Sequence, residues 1–436
     1  MVRIHRVLPV LFFLLVAGCA NEEVGEISTT SGEPSTTTTL PVVTTTTLPP
    51  TTTTTLPPPT ELFGHVVGPG GEPVVGATLE MGDVAAVSGE DGSFQIIVPA
   101  PGRLEVSRPG WEPVELDVSQ DSDQIKVEME PFIVRGLRVS AEAAGSDSKF
   151  DELLGLADAT AVNTLVFDTK QEGGKVLYET SVSAANEMGA VDSFYDPVRR
   201  VSQSDEHGLY TITRIVVFED GFRVKAHPEE KLIGGWVDPV IESAWVYNID
   251  LAKEACEIGF DEIQFDYVRF PAGQTAKVSG QLSLTQSERV ASIEGFLAMA
   301  RQQLNPLGCA VSAAVFAIVV SVPDDQGLGQ KPEELSRQLD ALSPMVYPSH
   351  YSPGWLGYTD PNGFPFEVTA AAIDDAMPRL QTGTQLRPYL QAFWWSNNQI
   401  RESIDAAEDR GVGWILWNVR SNFDLEALPT DAEVSG

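Results

Sequence analysis

Residues 259–271 read GFDEIQFDYVRFP, and Asp261, Glu262, Asp266 and Arg269 interrupt a run otherwise apolar enough for a buried strand. A buried charge is costly unless it is paired or used. Other apolar runs also close on polar or aromatic groups. Asp168 and Lys170 follow NTLVF, and Glu219 and Asp220 follow TITRIVVF. Tyr347, Ser349, His350 and Tyr351 follow LSPMV. Gln391, Trp394 and Trp395 end LRPYLQAFWW, and Trp417 and Asn418 fall in GWILWNV. Carboxylates exchange protons and stabilise positive charge, aromatic rings stack on the apolar faces of pyranoses, and amides take hydroxyls. Gathered in one cleft, these residues would bind a sugar. Cutting a glycosidic bond would take two carboxyl groups, one as acid and one as base or nucleophile.

Such residues need elements that bring them together. Strand-like runs stand at 133–139, 163–169, 211–220, 262–268, 309–319, 342–349, 386–394 and 413–419, with helix candidates between them. Eight strand–helix units in this length have the rhythm of a (β/α)8 barrel. An open doubly wound sheet is the alternative, and the absence of a glycine-rich phosphate loop after the first strand counts against it. A barrel places its active site at the C-terminal strand ends. Asp266, Asp220 and Asp168 are then the catalytic candidates. Arg269, Tyr347, His350, Gln391, Trp394, Trp417 and Asn418 are the substrate-binding ones. Each has a plainer alternative. Asp266 could simply pair with Arg269, the other two aspartates could cap helices, and the aromatics could plug the barrel top. Strands five and seven end without a carboxylate, so a partner for Asp266 must come from Asp168, Asp220 or a loop such as 324–325. Glu262 shares the parity of Asp266 but lies deeper. It is expected to pair with Arg214 as a structural contact. Cys256 and Cys309 fall on the N-terminal face of adjacent units, where a disulfide requires Cα atoms within about 7 Å.

The rest of the chain divides by composition. Residues 1–19 have a basic start, an apolar stretch too short to span a bilayer comfortably, and Leu15-Val16-Ala17-Gly18-Cys19. Residues 20–60 are Thr/Pro repeats expected to form a disordered, extended tether. Residues 61–130 alternate short β-like runs with Gly/Pro turns, the pattern of a small β-sandwich. Residues 131–425 hold the barrel and 426–436 a tail. The formal charge is −34, from 62 acids and 28 bases. Such a surface repels phosphate backbones, so nucleic acid is not an expected partner. No His/Cys pair has zinc spacing, and neither a metal nor a cofactor is expected.

Three resemblances add to this. LVAGC resembles a bacterial lipobox, which implies lipidation of Cys19, a membrane anchor and an extracytoplasmic location. Gly71, Pro73, Val74, Gly76, Ala77, Asp91, Gly92 and Phe94 resemble the pattern of the carboxypeptidase regulatory-like domain, which implies a non-catalytic module. WVDPVIESAWVYNIDLAKEACEIGFDEIQFDYVRFP, SPMVYPSHY, LRPYLQAF and GWILWNV resemble an uncharacterised glycoside hydrolase family of the TIM-barrel glycosidase superfamily. That resemblance implies glycosidase-like activity, and with the anchor the leading expectation is a surface-tethered glycoside hydrolase acting on an extracellular or cell-wall polysaccharide. The competing class is a non-catalytic carbohydrate-binding or wall-organising lipoprotein. A metal-dependent hydrolase using His350 lacks ligand spacing.

Overall fold

The computed structural model describes residues 60–98, 101–119 and 124–434. Cys19, the signal-like segment and the Thr/Pro tether lie outside these residues.

The first described segment forms two small sheets. The strands are β1 Thr60–Val67, β2 Thr78–Met81, β3 Val84–Val87, β4 Ser93–Val98, β5 Gly102–Ser107, β6 Val114–Val118 and β7 Gln124–Glu128. They pair in the orders β4-β1-β7 and β3-β2-β5-β6. Alternation along the strands sends Leu62, Val66, Leu79, Phe94, Ile96, Leu104 and Val106 into one shared core.

Next come β8 Arg135–Val139, β9 Thr164–Lys170, β10 Tyr210–Val216, a hairpin of β11 Lys231–Ile233 and β12 Trp236–Val237, β13 Glu262–Asp266, β14 Ala310–Phe316, β15 Ala341–Val346, β16 Gln385–Leu386, β17 Tyr389–Gln391 and β18 Trp414–Trp417. Apart from the hairpin these strands are parallel, in the order β14-β13-β10-β9-β8-β18-β17-β15, and the β14–β15 pairing closes the ring. This is a (β/α)8 TIM barrel. β16 is a short first piece of the seventh strand, interrupted at Arg387 and Pro388. Both faces of each strand are covered, so β9 and β10 are buried at every position.

Helices wrap the outside. Gln286–Leu304 starts on a capping box between Thr285 and Glu288, and Glu242–Ile258 stops at left-handed Gly259. Cys256 and Cys309 form a disulfide, with Cα atoms 6.0 Å apart.

The sandwich sits under the N-terminal end of the barrel. Arg108 pairs with Asp340, the residue before β15, and both side chains are almost fully buried. Gln385 at the start of β16 donates to the Gly110 carbonyl. Phe132 packs at a tilt against Tyr210 at the barrel floor, ring centroids 5.2 Å apart.

Two expectations are corrected here. The third strand stops at Val216, so Glu219 and Asp220 belong to the following loop. Glu262 is fully buried but pairs with Arg387, at 2.8 Å, and not with Arg214. Parity was sufficient to put both side chains inside. The register puts Ile212 opposite Glu262 and Arg214 opposite Gln264, so Arg214 lies one layer higher and reaches up to the rim. Glu262 also accepts from Ser312 and from Tyr210.

Candidate active site

The C-terminal rim is organised around one guanidinium. Arg214 bonds Asp266 Oδ2 through Nε at 2.8 Å and Asp168 Oδ1 through Nη1 at 3.3 Å. Its Nη2 donates to Glu172. Arg214 Nη2 lies 2.7 Å from Asp266 Oδ2 and 2.5 Å from Glu172 Oε1, so these two oxygens are at most about 5 Å apart. That span is compatible with the carboxyl separations glycosidases use. Asp168 is also held by Arg138, whose guanidinium lies 4.5 Å from the centroid of the Trp417 ring. Arg214 lies 4.9 Å from the same ring.

The three acids differ in access. The side chains of Asp168 and Asp266 are 1% and 5% exposed, whereas that of Glu172 is 43% exposed. Only Glu172 lines the larger cavity, about 730 Å³, together with Arg138, Gln171, Trp417 and Arg420 among others. Burial opposes ionisation of Glu172, but the charge and hydrogen bond of Arg214 outweigh it, so its carboxyl sits below the ordinary value of 4.5. Asp266 is fixed from both sides. Its Oδ1 accepts from the Tyr267 N–H at 2.6 Å, where the chain turns through a left-handed φ of 49°.

Glu172 belongs to a tight turn, Glu172–Gly174, just past β9. Gly173 and Gly174 have φ of 81° and 89°. The Gly173 N–H donates to Glu219 at 2.6 Å, and a Cβ on Gly174 would collide with the Asp220 carboxylate. Glu172 escaped the sequence reading because it lies beyond the strand. The signal was the paired glycines after it, which only a turn packed against the next strand's loop requires.

The other candidates separate clearly. Asp220 takes its plainer role. It accepts the Arg223 N–H at 2.8 Å as the cap of helix Gly221–Ala226 and pairs with buried Lys170 at 2.7 Å. Arg269 does not bond Asp266. It donates to the Phe270 carbonyl and is wedged among Trp236, Tyr267 and Phe316, 4.3–4.9 Å from their centroids. Gln391 and Asn418 are consumed by loops: Gln391 bonds Ser349, Asn362 and Phe393, and Asn418 bonds Ala392, Arg420 and Asn422. Tyr347, His350, Trp394 and Trp417 do come together, with Phe393 and Val419, around a second cavity of about 290 Å³. Trp417 and Val419 are common to both cavities.

Among the described residues one acidic and histidine group has metal-like spacing, His227, Glu229 and Glu230. Glu230 there is already held by Arg223 through both oxygens.

Comparison with known proteins gives the barrel a family. Residues 136–423 match the family described as "Putative glycosyl hydrolase domain". None of the curated proteins compared with the chain matches it. Among solved structures, a hypothetical protein from Ruminiclostridium thermocellum is 34% identical over 41% of this chain and 96% of its own, with a TM-score of 0.36. The PgaB (BpsB) glycoside hydrolase domain from Bordetella bronchiseptica is 11% identical over 66% of this chain and 95% of its own, with a TM-score of 0.49. The glycoside hydrolase domain of PelA from Pseudomonas aeruginosa is 12% identical over 67% and 98%, with a TM-score of 0.40. The family match spans nearly the whole barrel and most of the chain, and the protein belongs to this glycosyl hydrolase family.

Proposed function

We propose that the protein is a surface-tethered glycoside hydrolase that cleaves O-glycosyl bonds in an extracellular or cell-wall polysaccharide. The observation carrying this reading is the shared grip of Arg214 on buried Asp266 and on Glu172, which lines an open cavity. Glu172 is ionised and solvent-accessible, so it takes a proton from the water that attacks the anomeric carbon, while the glycosidic C–O bond breaks and the leaving oxygen takes its proton from solvent in the open cavity. Asp266, oriented by Arg214 and the Tyr267 N–H, stabilises the positive charge that develops at the anomeric carbon. Asp168 holds Arg138 and Arg214 in place and is a positioning residue.

Tethering through lipidated Cys19 and a Thr/Pro spacer remains the best reading of residues 1–60, and residues 61–130 that of a carboxypeptidase regulatory-like module. The Cys256–Cys309 disulfide supports an oxidising, extracytoplasmic compartment. Membrane fractionation of a Cys19→Ala variant tests the anchor, and retention in the membrane fraction would refute it.

One observation favours the binding-only alternative. Asp168, Glu172 and Asp266 are each bound to a guanidinium. None of the three stands in the apolar niche that keeps a general acid protonated. Release of reducing ends from a polysaccharide panel separates the readings. We expect wild-type hydrolysis, with Glu172→Gln and Asp266→Asn each lowering it about 10²–10⁴-fold. Unchanged turnover in either variant removes that residue from the chemistry. No wild-type hydrolysis across the panel supports a sugar-binding protein.

A further inference from the structure

The smaller cavity contains no acid, arginine or lysine in its wall. Tyr347, His350, Phe393, Trp394, Trp417 and Val419 form it. Phe393 sits at its centre, edge-on to Trp394 at 5.1 Å, to Tyr347 at 5.5 Å and to His350 at 6.1 Å between ring centroids.

Trp394 is the least ordinary member. The residue is 82% exposed and serves no core. Its backbone has a φ of 61°, which a bulky residue adopts only under constraint. The constraint is visible on both sides. Gln391 Nε2 donates to the Phe393 carbonyl at 3.1 Å, and Trp395 Nε1 donates to Asn362 Oδ1 at 2.9 Å. Ser396 then caps helix Asn397–Glu408 through a capping box with Gln399. The backbone on both sides of Trp394 is therefore fixed, and the indole stands outward beside Phe393. An aromatic face exposed to water beside a cavity is available for stacking.

We propose that this aromatic cup is a subsite for an uncharged pyranose ring, adjacent to the ring processed over Glu172, so that the substrate is a neutral glycan chain lying across Trp417. The position of the cut rests on the glycosidase reading, while the subsite itself does not. Trp417 and Val419 bound both cavities, so a chain leaving the larger cavity has the cup as its next contact. A uronate or a free amino sugar would bring a charge into this cup without an opposing acid or base, which is costly. A neutral ring presents an apolar face to the indole and keeps its hydroxyls at the open edge.

The test uses the full chain in three forms: wild type, Trp394→Ala and Glu172→Gln. Each is titrated by calorimetry with four tetrasaccharides: a neutral glucan, an N-acetylated chitin fragment, an oligogalacturonide and a fully de-N-acetylated chitosan fragment. We expect at least one neutral chain to bind and Trp394→Ala to weaken it about tenfold. Indole fluorescence should shift on binding in wild type, and the shift should shrink in Trp394→Ala. The Glu172→Gln variant should keep the Trp394-dependent affinity with no chain cleavage. Tighter binding of a charged chain, no binding of either neutral chain, or equal affinity of Trp394→Ala and wild type would overturn the subsite. Binding without cleavage by wild type would sink hydrolysis and leave the subsite standing. Cleavage with equal wild-type and Trp394→Ala affinity would do the reverse.

Discussion

Arg214 decides the chemistry of three acids at once. Removing it would leave Asp168 and Asp266 buried with their charges less compensated, a change on the order of 3–5 kcal/mol for a broken buried pair. Its effect on Glu172 can be read from pH. The folded value lies below the ordinary 4.5, so Glu172 stays ionised as pH falls past that point. The stability tied to this shift is present above the unfolded value and is lost as pH falls through the lower folded one. The acidic limb of kcat/KM should accordingly lie below pH 4.5. Substituting Arg214 by Gln removes the largest stabilising charge while burial and the weaker pull of Arg138 remain, so the limb should move to higher pH than in the parent. A parent limb already above pH 4.5 would rule out Glu172 as the titrating base. At this scale the sequence was only partly readable. Asp266 and Trp417 were visible because they end strands, and Trp394 because it closes the apolar run LRPYLQAFWW. Glu172 was hidden, and Arg214 was given the wrong partner, because an arginine's reach depends on strand stagger and on which way the side chain extends.

The elements explain why Glu172 is placed where it is. The Glu172–Gly174 turn rests on the Glu219–Asp220 loop, with Gly173 bonded to Glu219 and Gly174 against Asp220. Asp220 in turn is fixed by its helix and by Lys170. Gly174→Ala adds a Cβ in the path of Asp220 and strains a residue at φ 89°. We expect hydrolysis to fall at least tenfold while the melting temperature drops by only a few degrees, because the turn lies at the rim and carries little core. Full activity in this variant would show that the turn's position is immaterial. Strand and helix order was legible from the alternation of β-like and helical runs. Strand ends were not, because a sequence such as TITRIVVFED stays apolar past the point where pairing stops. The loop 217–220 is buried like a strand without being one.

For the whole molecule, the sandwich and the barrel are joined by buried polar contacts. Arg108 holds Asp340 and also donates to the Val75 carbonyl at 2.5 Å, so the ion pair is seated in both parts. Calorimetry should show the two unfolding together. Arg108→Ala leaves Asp340 buried without its cation and should cost about 3–5 kcal/mol, separating a sandwich transition from the barrel's. An unchanged single transition would mean that the pair contributes nothing to the coupling. The composition suggested two folded parts in series but could not show this coupling, because Arg108 and Asp340 are 232 residues apart in sequence.

The seat of the sandwich at the N-terminal ends of the strands has a consequence for access. Both cavities open at the opposite ends, and the sandwich is bonded to the floor through Arg108, Gly110, Asp340 and Gln385. The sandwich therefore acts as a plinth. It adds bulk beneath the barrel and none beside the rim, so a substrate far wider than the cleft meets the rim without meeting the sandwich. A soluble oligosaccharide gains nothing from that clearance, but a laterally extended polymer mesh does.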